Sequence, residues 1–109
     1  MRAVDAAQAL AELREISSEI EAAAIADDEG NVVAATPADG GSLAAAGRTL
    51  LAHAAQLQGR EPARVAATTA QGSVFVIREG GRTIVASTVP KPSIGLVFYD
   101  LKNCLLDAS

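Results

Sequence analysis

Hydrophobic positions recur at three- and four-residue steps near both ends of the chain and in short strand-like runs between them. Over residues 4–18, Val4, Ala7, Leu10, Ala11, Leu13 and Ile16 fall to one side of a helix, with Glu12, Arg14, Glu15 and Glu19 toward water. From Ile20 the texture changes. Residues 21–27 and 31–36 flank Asp28-Glu29-Gly30, where Gly30 can take the positive φ of a tight turn, and the pattern predicts a hairpin. Alanine is a poor strand former, so 21–26 reads as helix on propensity alone; the glycine turn and Val32-Val33 decide for strands.

Pro37 to Gly41 reads as a loop and Ser42 as the N-cap of a second helix, running to about Gln58 and stopped by Gly59, with Pro62 beyond. Leu43, Gly47, Leu50, Ala54 and Leu57 make one stripe of it, widened by Leu51. The remaining side, with Ala44, Ala45, Arg48, Ala52, His53, Ala55 and Gln56, is small and thinly charged. A solvated face is usually richer in Glu and Lys, so a second body is expected to cover this one. Three strands follow at hairpin spacing, Arg64–Ala70, Ser73–Glu79 and Arg82–Thr88, joined at Gln71-Gly72 and Gly80-Gly81. Val74-Phe75-Val76-Ile77 is apolar on both sides and needs cover on both faces of the sheet. After Pro90 and Pro92, residues 93–108 place Ile94, Val97, Phe98, Leu101, Cys104 and Leu105 at helical spacing. The order is α-β-β-α-β-β-β-α: an α/β sandwich with a mostly antiparallel five-stranded sheet and helices on both faces.

The length of 109 residues is one domain's worth, 1–109. Alanine accounts for 24 residues and Leu, Ile, Val and Phe for 27, enough for a modest core. A single cysteine excludes an intrachain disulfide and a cysteine-rich metal site. The first residues lack the apolar stretch of a signal peptide, and no run approaches the ~18 apolar residues of a membrane span. These features predict a cytoplasmic protein. The net charge of −4 disfavours nucleic acid and anionic membranes as partners. That charge is uneven: residues 1–39 sum to −7, nine acids against Arg2 and Arg14, and residues 40–109 to +3, seven bases against four acids. Such polarity can orient a charged partner.

Little in the chain points to catalysis. His53 is the only histidine, and Thr49, Ala52 and Leu57 around it offer no catalytic partner, so it reads as a surface or interface residue. Cys104 sits beside Leu101 and Leu105 as a small buried hydrophobe rather than a nucleophile. Gly40-Gly41-Ser42 opens a helix but lacks the lysine of a phosphate-binding loop. Asp27-Asp28-Glu29 lacks calcium-loop spacing and reads as a solvated turn. No enzyme activity, cofactor or metal is expected.

The element order and its punctuation resemble the roadblock/LC7 domain, in particular the short bacterial members related to the gliding-motility regulator that partners a Ras-like GTPase. The residues that carry the likeness are 25–33 of the first hairpin, 72–77 of the central strand, 83–86 of the last strand and 94–101 of the glycine-containing closing helix. No single motif is diagnostic; the order and spacing over about residues 4–107 carry it. The resemblance implies a profilin-like fold and a homodimer in which second helices pack together and third strands pair. On that basis Ala44, Ala45, Arg48, Ala52, Ala55, Val65, Ala67 and Thr69 are the expected dimer interface. It further implies a non-enzymatic scaffold that binds a Ras-like small GTPase through Ala45, Arg48, Ala52, His53 and Gln56, and that sometimes accompanies a sensor kinase. If the scaffold activates hydrolysis, Arg48 is the candidate for an arginine acting in trans on the transferring phosphate. The alternatives are a passive adaptor for a kinase or motor component and a module holding a small ligand between helix and sheet, the latter disfavoured by the scarcity of core aromatics and polar groups.

Overall fold

The computed structural model describes residues 5–36, 41–59 and 63–108. Its elements are α1 (Ala6–Ile16), β1 (Ile20–Asp27), β2 (Val32–Thr36), α2 (Gly41–Gln58), β3 (Arg64–Thr69), β4 (Gly72–Glu79), β5 (Arg82–Thr88) and α3 (Ile94–Asp107). The five strands form one sheet in the order β2-β1-β5-β4-β3, with every neighbouring pair antiparallel. Helix α2 lies alone on one face; α1 and α3 pack side by side on the other. The expected sandwich is therefore the observed one.

Helix α1 starts where Asp5 caps it, its carboxylate accepting the Gln8 N–H at 2.8 Å. Its buried side is Ala6, Ala9, Leu10 and Leu13, while Ala7 and Ala11 are exposed and Ile16 is 73% exposed. Two alanine-bearing stripes satisfy the same 3.6-residue period, and packing selects the one continuous with Leu10 and Leu13. Val4 lies outside the described residues. The β1–β2 turn is built on Asp27, whose carboxylate accepts the N–H groups of Glu29 at 3.0 Å and Asn31 at 2.9 Å. Gly30 takes φ +86° there, as the sequence predicts. Strand β1, alanine-rich as it is, sits between β2 and β5, so its ladder bonds outweigh its weak strand propensity.

The α1–α3 face holds the larger core: Phe75 and Ile77 of β4, Ile84 and Ala86 of β5 and Ala23 and Ile25 of β1 meet Leu10, Leu13, Val97 and Leu101. Phe98 stands edge-on to Phe75 at 5.0 Å, and the Arg64 guanidinium lies 5.2 Å from its ring centre. Ile94, counted with this core on spacing, is 53% exposed, because it opens α3 before the helix reaches the sheet. The backbone N–H of Ser93 donates to both Glu19 carboxylate oxygens, at 3.0 and 3.2 Å, tying the start of α3 to the turn before β1.

The α2 face is thinner. Its cluster is Leu51, Val76 and Val85, flanked by Leu43, Leu50, Val65 and Val74. The buried line of α2 is Ala44, Gly47 and Leu51, so the expected stripe is rotated: Leu57 is 88% exposed and Ala44 only 4%. The sheet beneath sets Ala24 beside Val85, and Ala44 and Gly47 let the helix come close enough for Leu51 to reach Val76 and Val85. The helix begins at Gly41, which puts Ser42 within its first turn rather than before it; the rest of the expected loop, 37–40, lies outside the described residues. Gly59 ends α2 with φ +76°, its N–H donating to the Ala55 carbonyl at 2.9 Å. Pro62 falls outside the described residues.

Candidate functional site

The outward side of α2 carries Ala45, Arg48, Ala52, His53 and Gln56, all exposed, with Ala55 half-buried. These are residues the sequence assigns to interfaces, and the helix brings them to one surface. Ala44 does not join them. The rotation of the helix turns it onto the sheet, which removes it from the expected interface. Strand β3 is the free edge of the sheet beyond β4, and Val65 and Ala67 pair with Val76 and Val74 on the α2 side. Both are half-buried. The Thr69 side chain lies outside the described set. An edge with short side chains beside a small-residue helix is open to another copy's strand.

Arg48 does not stand straight out. Its guanidinium bends over the β1–β2 turn, where a Cβ on Gly30 would meet Nη1 at 2.7 Å. An open groove of about 610 Å³ runs there, lined by Asp27, Asp28 and Glu29 of the turn, Arg48 and Thr49 of α2, and Arg78 and Thr83 of β4 and β5. Asp28 also reaches the β4–β5 turn, 3.1 Å from where a Cβ of Gly81 would stand. The backbone N–H of Asn31, with those of Glu29 and Gly30, holds the Asp27 carboxyl below its ordinary value, against a smaller opposing effect of burial. The acidic turn is thus an ordered wall beside Arg48, a placement that spacing along the chain did not reveal because the turn and α2 are linked only by folding.

Among the described residues, no group of three or more His, Cys, Asp or Glu is placed to hold a metal ion, and no helix is long and apolar enough to cross a membrane. Cys104 is buried, and burial, with repulsion from Asp107 and Glu12, pushes its thiol up to about 12. It is a packing residue. The turn glycines, Gly80 at φ +62° and Gly81 at φ +79°, make the tight connection that the sequence predicts.

With this geometry in hand, comparison with solved structures is decisive for the architecture. A roadblock/LC7 domain from Streptomyces avermitilis superposes with a TM-score of 0.80, at 14% identity, over 94% of this chain and 93% of its own. The chain has the roadblock/LC7 fold. A second roadblock/LC7 domain from the same organism gives a TM-score of 0.73 at 19% identity, covering 91% of this chain and 93% of that one. The gliding protein MglB of Thermus thermophilus gives 0.69 at 16% identity, covering 94% and 84%. No family model matches the sequence, and no curated protein does. In the roadblock fold as this chain builds it, α2 and the Val65 side of β3 lie on one face of the sheet and the α1–α3 layer on the other.

Proposed function

We propose that this chain is a roadblock/LC7 regulatory scaffold that forms a homodimer through α2 and β3 and docks a Ras-like small GTPase on the paired α2 surface. It acts on the GTPase's nucleotide cycle without being an enzyme itself. The observation that carries the reading is a fold that leaves β3 as a sheet edge and exposes Ala45 and Ala52 on α2, beside Arg48 along the groove with the acidic turn. Small residues let a second helix approach closely, and the edge supplies the hydrogen bonds that would set its register. The fold likeness to a gliding protein, MglB, supports the choice of a GTPase as partner. Cytoplasmic location follows from the same reading.

Arg48 is the residue through which the docked GTPase would be influenced. It lies at the edge of the α2 surface beside an acidic turn, so its guanidinium is oriented before any partner arrives. The test is capture from lysate of the source organism with GTPγS or GDP added, followed by hydrolysis measured with the GTPase retained. Retention of a small GTPase in one nucleotide state supports the proposal. Retention of a kinase or other protein regardless of nucleotide, with no GTPase, makes the chain a passive adaptor. If Arg48→Ala stimulates hydrolysis as well as wild type, no arginine finger acts from this position.

A further inference from the structure

Helix α3 is apolar on two sides. Val97, Leu101, Cys104 and Leu105 are buried, while Leu96 is 55%, Tyr99 66% and Leu106 56% exposed. At 100° per residue those three fall within a sector of about 80°, with Asn103 among them, Lys102 on the flank away from α1 and the acidic groove on the other, so they form one outward stripe rather than scattered exposures. Beside the stripe, a groove of about 230 Å³ runs between α1 and α3. Its apolar floor is Ala9, Leu13 and Ile16, the last 73% exposed, and its rim carries Glu12, Asp100 and Asp107. None of the residues lining it is basic. The nearby Arg14 points elsewhere, donating to the Thr36 hydroxyl on β2 at 3.5 Å.

We infer that the α1–α3 groove docks a basic amphipathic helix of a partner protein, laid beside α3 as a third helix of that layer. The apolar stripe and groove floor take its leucine-type face; the three carboxylates take its flanking lysines and arginines. Charge decides the occupant. An acidic groove repels an anionic membrane surface, and a second copy of this chain would bring the same carboxylates against themselves. One local observation agrees with the acidic groove: Asp107 and Glu12 add their repulsion to the burial that raises Cys104. This surface lies across the sheet from α2 and stands whether or not a GTPase binds there.

The probe is a fluorescein-labelled synthetic peptide of about 14 residues, roughly 21 Å as a helix, matching the length of α3, with leucines on one stripe and lysine and arginine beside it. Titrated into the full chain at low salt, it gives saturable binding, and amide shifts of the ¹⁵N-labelled protein cluster at Ala9, Ile16, Tyr99 and Asn103. Tyr99→Ala and the pair Asp100→Asn/Asp107→Asn each weaken binding by about tenfold, the second losing its effect at high salt. Arg48→Ala, across the sheet, leaves it unchanged. All these side chains are exposed or on the rim, and circular dichroism verifies that the variants keep the fold. The proposal is overturned by no saturable binding up to ~1 mM peptide. Equal affinity for a peptide with glutamate in place of lysine and arginine, or shifts mapping to α2, overturns it as well. A molar mass that falls on Tyr99→Glu would make a second copy the occupant and overturn it too.

Discussion

A methyl group on Gly47 would stand 2.3 Å from Val85 Cγ2, more than an ångström inside contact, so this glycine sets how near α2 lies to the sheet. Alanine there gains ~1 kcal/mol in helix propensity. It loses more by overpacking, which costs about 1–3 kcal/mol and belongs near the upper end when the neighbour is a buried, β-branched valine. Gly47→Ala therefore lowers stability by ~1–2 kcal/mol in urea unfolding, and the double variant with Val85→Ala loses less than the two single changes added together. The sequence placed Gly47 on the inner stripe but could not supply this reason, because Val85 is far away along the chain. Cys104 offers a second check. With its thiol at about 12, roughly one molecule in 10⁴ carries a thiolate at pH 8, so the folded protein resists iodoacetamide that labels it quickly in denaturant. The unfolded chain releases this proton above about pH 9, where the folded chain still holds it. The resulting stability is whole below pH 9 and is lost as pH rises toward 12, a decline that Cys104→Ala diminishes.

At the scale of elements, the strands and hairpins were legible because their signals are local. Gly80-Gly81, the Gly30 turn and the two-sided apolar run 74–77 each state their structure within a few residues. Helix rotation was not legible where alanine dominates. Ala7, Ala11, Ala44 and Ala54 cost little on either side of a helix, so only packing decides which are covered, and the expected stripes of α1 and α2 were each turned from the observed ones. The β1–β2 hairpin shows how a polar side chain fixes an element that propensity leaves weak. Asp27 is held below its ordinary value by backbone N–H groups that exist together only in the folded turn. Its contribution is present above the ordinary carboxylate range and is lost as pH falls through the lowered value. An NMR titration of the Asp27 carboxyl should give a midpoint below 3.8, and Asn31→Pro, which removes the N–H that lowers it most, should raise it.

On the scale of the whole molecule, the sheet divides two surfaces that a single chain leaves unfinished. The α2 surface was half legible: a thin-charged helix face and a short-side-chain strand both stand out in the sequence, yet only the fold sets that helix face beside the acidic turn and leaves that strand at the sheet edge. The α1–α3 stripe of Leu96, Tyr99 and Leu106 is not legible in the sequence, because Val97, Leu101, Cys104 and Leu105 already account for the helical period. A chain of this size buries only a little over 60% of its unfolded surface, so association should contribute visibly to its stability. If α2 and β3 form the homodimer interface, the melting temperature rises with protein concentration, since only folded chains pair. Ala52 is the residue to change: it is exposed, needs no side-chain space within the monomer, and sits mid-helix where a partner helix would cross. Ala52→Glu should give a monomer by light scattering across 1 to 100 µM, roughly the range where a micromolar dimer dissociates, and a melting temperature independent of concentration. An unchanged dimer in that variant would move the interface off α2, and with it the surface assigned to the GTPase.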